Sequence, residues 1–281
     1  FGATRLWCAF DTGLSGLIGV DRRKGVASTA DVTVGPIALG SQPISLRDLP
    51  KEAPEMECVL GTGLLRRYVM EIDYVAPRVR LFAPGTFTAP AGVPHVPLIF
   101  RTNPNVPFVR VAMRLADGSE QITQVVADTG AAYFASVLVE PAATRLRPSL
   151  GQTASPPYVA HGPHGPLRLS AARAEAMVAG PFTLPQPVVA LLDSDLGGGT
   201  DDGLLGVGFF RRFNKVTFDY HERRMYLEPN ARLTAPHTFD ASGVGFIAEP
   251  SGLVAAMVLP GTPAARAGIE AGDRLLELDD R

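Results

Sequence analysis

The strongest constraint on this chain is that it contains one unit twice. Residues 60–68 read Leu-Gly-Thr-Gly-Leu-Leu-Arg-Arg-Tyr and residues 205–213 read Leu-Gly-Val-Gly-Phe-Phe-Arg-Arg-Phe, an offset of 145. Gly35-Pro36-Ile37-Ala38-Leu39 matches Gly180-Pro181-Phe182-Thr183-Leu184 at the same offset, and Asp73-Tyr74 and Leu81 match Asp219-Tyr220 and Leu227 at 146. A third element, Phe10-Asp11-Thr12-Gly13, pairs with Ala127-Asp128-Thr129-Gly130 at 117, so the second copy holds 145 − 117 = 28 extra residues in one loop. A repeat of this kind implies one supersecondary plan used twice, with its insertions in loops.

Each copy reads as β-rich. Val69–Tyr74 with Arg78–Phe82, and Val216–Tyr220 with Arg224–Leu227, alternate like hairpins. Phe108–Leu115 and Gln121–Ala127 form another around Asp117-Gly118, and it delivers the chain directly into Asp128. Only ten residues precede Asp11, so the outer strand of the equivalent hairpin is expected to be missing from the first copy. Leu64–Tyr68 and Phe209–Phe213 are the expected short helices. Composition agrees: Gly and Pro supply 29 + 25 = 54 of 281 residues, apolar residues 46% and charged residues only 19%. That mix excludes a coiled coil, a long helical bundle or a disordered chain. A net charge of −2, with three lysines among 26 basic residues, leaves no footprint for nucleic acid. No apolar run approaches the roughly 18 residues that span a bilayer.

Proline-rich stretches divide the chain into a first unit at 1–94, a second at 95–235 and a third segment at 236–281. Each Asp-Thr-Gly follows an apolar strand and is answered later by an apolar-apolar-glycine, Val59-Leu60-Gly61 and Leu204-Leu205-Gly206. On these residues the chain resembles the aspartic proteases, specifically the retropepsin-like and pepsin-like group, over about residues 1 to 230. The resemblance implies a mainly β, bilobal acid-protease fold, a polypeptide substrate and no cofactor. Asp11 and Asp128 would be the catalytic pair, and Thr12 and Thr129 would tie the loops together. Gly13 and Gly130 would allow the tight turns, and Gly61 and Gly206 would let the backbone pass behind each aspartate.

Two carboxylates a few ångströms apart share a proton, so one can act as base on a water while the other acts as acid on the scissile carbonyl. The family's loop continues with a hydroxyl residue bonded to the carboxylate; Ser15 keeps it in the first copy, whereas Ala131-Ala132 lacks it in the second. The expanded loop suggests a flap over the substrate at Tyr158 to Leu169, with Tyr158, His161, Gly162, His164 and Gly165 as its candidate residues. Arg22–Val26 would be its reduced equivalent in the first copy.

From about Thr238 the sequence resembles the first half of a bacterial PDZ domain. Gly243-Val244-Gly245-Phe246 is similar to the loop whose amides bind a peptide's terminal carboxylate, and Pro260 to Gly268 and Gly272-Asp273 continue the pattern. The pattern stops mid-domain at Arg281, so the chain reads as part of a longer one whose complete PDZ domain would bind peptide C-termini. The bacterial resemblance implies a periplasmic or secreted setting. The alternative is a catalytically silent peptide-binding scaffold that associates through the PDZ-like piece.

Other features read as structural. His161 and His164, with His95, His221 and His237 scattered, read as solvated rather than as a metal site. Arg66-Arg67 and Arg211-Arg212 read as a solvated helix face or as partners of carboxylates on neighbouring strands, outside the active site. Cys8 and Cys58 each precede a landmark by three residues and read as buried thiols, with a bridge between neighbouring strands as the lesser alternative.

Overall fold

The computed structural model describes residues 1–16, 18–49, 56–101, 106–131, 134–150, 158–162, 165–193, 202–238, 240, 242–249 and 252–278. The described chain is mainly β. The first copy comprises β1 (Cys8–Phe10), β2 (Ile18–Asp21), β3 (Thr29–Val34), β4 (Ile37–Pro43), β5 (Ser45–Arg47), β6 (Cys58–Leu60), α1 (Thr62–Leu65), β7 (Val69–Asp73) and β8 (Arg78–Phe82). β9 (His95–Pro97) connects to β10 (Phe108–Arg114), β11 (Glu120–Ala127), β12 (Ser136–Leu138) and α2 (Ala142–Leu146). Then follow β13 (Tyr158–Gly162), β14 (Gly165–Arg173), β15 (Ala176–Ala179), β16 (Phe182–Pro185), β17 (Val188–Leu192), β18 (Gly203–Leu205) and α3 (Val207–Phe210). β19 (Phe213–Asp219) and β20 (Arg224–Pro229) end the second copy; β21 (Val244–Glu249), β22 (Gly252–Val258) and α4 (Pro263–Arg266) follow.

The sequence repeat is a repeat of topology. In the first copy the strands lie in the order β1-β6-β2-β5, and within a nine-stranded sheet of the second copy the order β17-β12-β18-β11 reproduces it. The strand leading into each Asp-Thr-Gly runs parallel to the apolar-apolar-glycine strand, which is antiparallel to the strand leaving that loop. Local turn chemistry repeats as well. Gly35 and Gly180, both at φ 56°, turn β3 into β4 and β15 into β16, and each is followed by a proline with its fixed negative φ. Asp73 Oδ1 accepts the amides of Val75 and Ala76, and Asp219 Oδ1 accepts those of His221 and Glu222, so the same aspartate shapes both hairpin turns.

The two copies are joined by a five-stranded sheet in the order β8-β7-β19-β20-β9. Its centre is the antiparallel pair β7 and β19, in which Glu71 faces Thr217. These two are themselves equivalents, since 217 − 71 = 146, so the pseudo-twofold axis passes between them. A single apolar cluster packs against this junction, with Leu64 and Leu65 of α1, Phe209 and Phe210 of α3, Phe213 and Phe218 all buried. Burying one such side chain contributes about 1.5–3 kcal/mol, which is why these short helices, too short to persist alone, are held in place.

Three expectations need correction. The helices start two residues earlier than the glycine pairs suggest, because the strand-like backbone ends at Gly61 and Gly206. The first helical amides then donate to loop carbonyls: Thr62 to Leu14 and Gly63 to Gly16, matched by Val207 to Ala131 and Gly208 to Phe134. Cys8 and Cys58 are not free thiols but a disulfide. The parallel register of β1 and β6 sets them directly side by side with Cα atoms 4.4 Å apart, a pairing of distant strands that spacing along the chain does not reveal. The repeated arginines also differ between copies. Arg66 and Arg67 are exposed, but Arg212 is only 7% exposed and donates to the carbonyl oxygens of Arg232 and Ala235.

Among the described residues β1 has β6 as its one neighbour, whereas β11 is flanked by β18 and β10. Most of the 28 extra residues of the second copy are spent on α2 and the hairpin β13–β14, which pairs antiparallel from Tyr158↔Leu169 to Gly162↔Gly165. In the first copy the corresponding place holds only a 3₁₀ turn, Arg22–Lys24, capped by Asp21.

Candidate active site

The two Asp-Thr-Gly loops meet face to face, and the contact is reciprocal. Thr12 Oγ1 accepts the amide of Thr129 at 2.9 Å and donates to Ala127 O at 2.6 Å. Thr129 Oγ1 accepts the amide of Thr12 at 3.1 Å and donates to Phe10 O at 2.6 Å. Each hydroxyl therefore uses one donor and one acceptor function across the junction, and Thr12 is fully buried.

This clasp brings the carboxyl groups together. A Cβ on Gly13 would stand 2.5 Å from Asp128 Oδ2, and a Cβ on Gly130 would stand 2.8 Å from Asp11 Oδ2. Each loop's glycine is thus the surface against which the other loop's carboxyl rests. Within its own turn, Asp11 Oδ1 accepts the amides of Gly13 at 2.8 Å and Leu14 at 3.0 Å, while Asp128 Oδ1 accepts that of Gly130 at 2.7 Å. Behind the loops, a Cβ on Gly61 would collide with the carbonyl oxygens of Gly16 and Leu14, and one on Gly206 would lie 2.7 Å from Phe134 O.

Asp128 is 8% exposed. Burial, and then the Asp11 carboxyl beside it, hold its pKa well above the usual carboxylate range, outweighing the amides of Gly130 and Ala131 that stabilise its anion. The arrangement therefore favours the protonated form of Asp128. Chemically it can polarise a carbonyl and deprotonate a water at the same place.

Ser15 does not reach this site. It is exposed, and among the described residues no hydrogen bond joins its hydroxyl to Asp11, whose carboxyl is served by main-chain amides instead. Gly162 and Gly165 sit on the paired strands of the β13–β14 hairpin, as do the main chains of Tyr158 and His161. His164 lies outside the described residues, as do the side chains of Tyr158 and His161. Gly243 precedes β21 at φ 78°, and Val244, Gly245 and Phe246 are in β21 itself, paired with β22, rather than in an open loop. Among the described residues no three His, Cys, Asp or Glu side chains converge as a metal site.

One residue near the pair has no motif of its own. Tyr220 is 8% exposed, and among the described residues its hydroxyl has no hydrogen-bond partner. Burial, followed by the nearby charge of Asp11, raises its pKa and keeps the phenol protonated. Its recurrence as Tyr74 at the same place in the repeat is the signal that marks it.

The chain is similar to a solved retropepsin-like aspartic protease from Rickettsia conorii, at 12% identity and a TM-score of 0.32, over 50% of this chain and 96% of that one. No family model matches the chain, and no curated protein does.

Proposed function

We propose that the chain is an aspartic-type endopeptidase in which Asp11 and Asp128 activate a water against a peptide bond. The observation that carries this reading is the reciprocal packing of two Asp-Thr-Gly loops, each carboxyl seated on the other loop's glycine. In this mechanism Asp128, protonated to unusually high pH by burial and by its neighbour, donates to the carbonyl oxygen of the scissile bond. Asp11 takes the proton of the attacking water, and the tetrahedral adduct collapses as a proton passes to the leaving amine. No group beyond the two carboxyls and a water is required.

The units 1–94 and 95–235 are read as two lobes that bind an extended polypeptide between them by strand-like backbone contacts. The β13–β14 hairpin is read as the cover that excludes water from the bound segment, with Tyr158, His161, Gly162, His164 and Gly165 as its candidate substrate-binding residues. Residues 236–281 are read as part of a PDZ-like module that presents peptide tails to the protease.

Incubation with unfolded casein across about pH 3 to 8, with and without pepstatin, tests the reading. Pepstatin-sensitive cleavage that is lost in both Asp11→Asn and Asp128→Asn is the expected result. Cleavage that survives in both variants would overturn it.

A further inference from the structure

We propose that the chain carries a second binding site, a pocket for an oxyanion group, at the junction between α1 and the β19–β20 turn. A cavity of about 440 Å³ is bounded there by Arg66, Arg67, Phe100, Tyr220, His221 and Arg223. Three guanidinium-bearing residues, of which Arg66 already has a partner, and an imidazole bound it, and among the described residues no carboxylate lines it. Glu222 lies in the same turn but outside the lining, and Asp219 is engaged by the amides of His221 and Glu222.

The internal repeat supplies a control for this site within the same molecule. Arg212 is the equivalent of Arg67, since 67 + 145 = 212, and its guanidinium is buried against the carbonyl oxygens of Arg232 and Ala235. Arg67 is exposed instead, and among the described residues its side chain makes no hydrogen bond or ion pair. The opposing turn differs in the same sense. Where the first copy has Val75 and Pro77, the second has His221 and Arg223, at an offset of 146. One copy thus meets its arginine with acceptors from the chain, whereas the other adds cations around it. Arg67, with no acceptor among the described residues and with Arg223 and His221 across the cavity, is suited to an anion, and planar guanidinium groups favour carboxylate or phosphate oxygens.

Tyr220 forms one wall with its ring, its hydroxyl being buried away from solvent. Arg223 holds the left-handed conformation, φ 54°, at the turn and places its guanidinium 6.0 Å from the centre of the Phe100 ring, which fixes its approach to the cavity. The occupant is therefore a small oxyanion or the oxyanion end of a larger molecule, with Phe100 available to an apolar portion.

Isothermal titration at low salt, with inorganic phosphate and separately with succinate, tests the site without using turnover. The expected result is saturable binding of at least one probe, weakened about tenfold or more in Arg67→Ala/Arg223→Ala and unchanged in Arg110→Ala, an exposed arginine on β10. Arg67→Lys/Arg223→Lys, which keeps charge but loses the fork, should fall between. Tighter phosphate binding assigns the site to a phosphate group, and tighter succinate binding assigns it to a carboxylate. Absence of saturable binding by either probe up to about 10 mM, or equal weakening in Arg110→Ala, overturns the proposal.

Discussion

Thr12 and Thr129 exchange hydrogen bonds across the junction of the two copies: the amide of each donates to the hydroxyl of the other, at 3.1 and 2.9 Å. Each hydroxyl also donates to the carbonyl just ahead of the opposite aspartate, Ala127 O or Phe10 O, at 2.6 Å. Replacing either threonine by alanine orphans an amide and a carbonyl at once, a loss of about 1–3 kcal/mol. Because the two side chains serve one network, Thr12→Ala/Thr129→Ala should cost less than the sum of the single variants. Urea unfolding of the four proteins measures the coupling, and strict additivity would refute the shared network.

If the proposed mechanism holds, Asp11→Asn and Asp128→Asn each lower peptide cleavage by about 10⁴-fold or more, since that mechanism needs both carboxyls as a unit. Circular dichroism of the same samples should show unchanged secondary structure, which separates lost chemistry from lost fold.

Asp128 also makes stability depend on pH. Its pKa is raised on folding, so its contribution is fully present below the unfolded value near 3.8 and declines as pH rises toward the folded one. A tenfold difference in proton affinity corresponds to about 1.4 kcal/mol. Asp128→Asn, which has no proton to lose, should therefore melt higher than the parent at neutral pH and lose that advantage near pH 4. Calorimetric melting at both pH values checks this sign.

Gly61→Ala and Gly206→Ala should each destabilise by about 1–3 kcal/mol, because the added methyl meets main-chain oxygens that anchor the following helix. Gly85→Ala meets no atom within 4 Å but must adopt φ 76°, so it isolates the conformational cost alone. Thermal melting of the three variants separates crowding from backbone strain.

The Cys8–Cys58 bridge closes a sequence separation of 50 and ties β1, which carries the chain into Asp11, to its neighbour β6. Reduction, or Cys8→Ser/Cys58→Ser, should cost about 2–4 kcal/mol. The loss should appear as a lower urea midpoint with dithiothreitol than without, and it should be absent from the double serine variant.

Much of this architecture is legible from residue order because it rests on local physics. The alternation of Val69–Phe82, the glycine-proline turns at Gly35 and Gly180, and the aspartate turns at Asp73 and Asp219 act over a few residues, so they announce hairpins directly. Ser15 misleads for the opposite reason: its place in the motif suggests a hydroxyl for Asp11, but the turn already supplies two amides to that carboxyl.

The residue order alone determines that one β unit occurs twice, that each copy carries an Asp-Thr-Gly between paired strands, and that the second copy holds the long insertion. The tertiary structure decides what those repeated residues become. It pairs β7 with β19 about the pseudo-twofold axis, joins Cys8 to Cys58, buries Asp128 and Arg212, and leaves Arg67 beside a cavity. Those outcomes depend on burial and on partners supplied from elsewhere in the chain, so equivalent arginines of the repeat acquire different surroundings when one meets main-chain carbonyls and the other meets solvent.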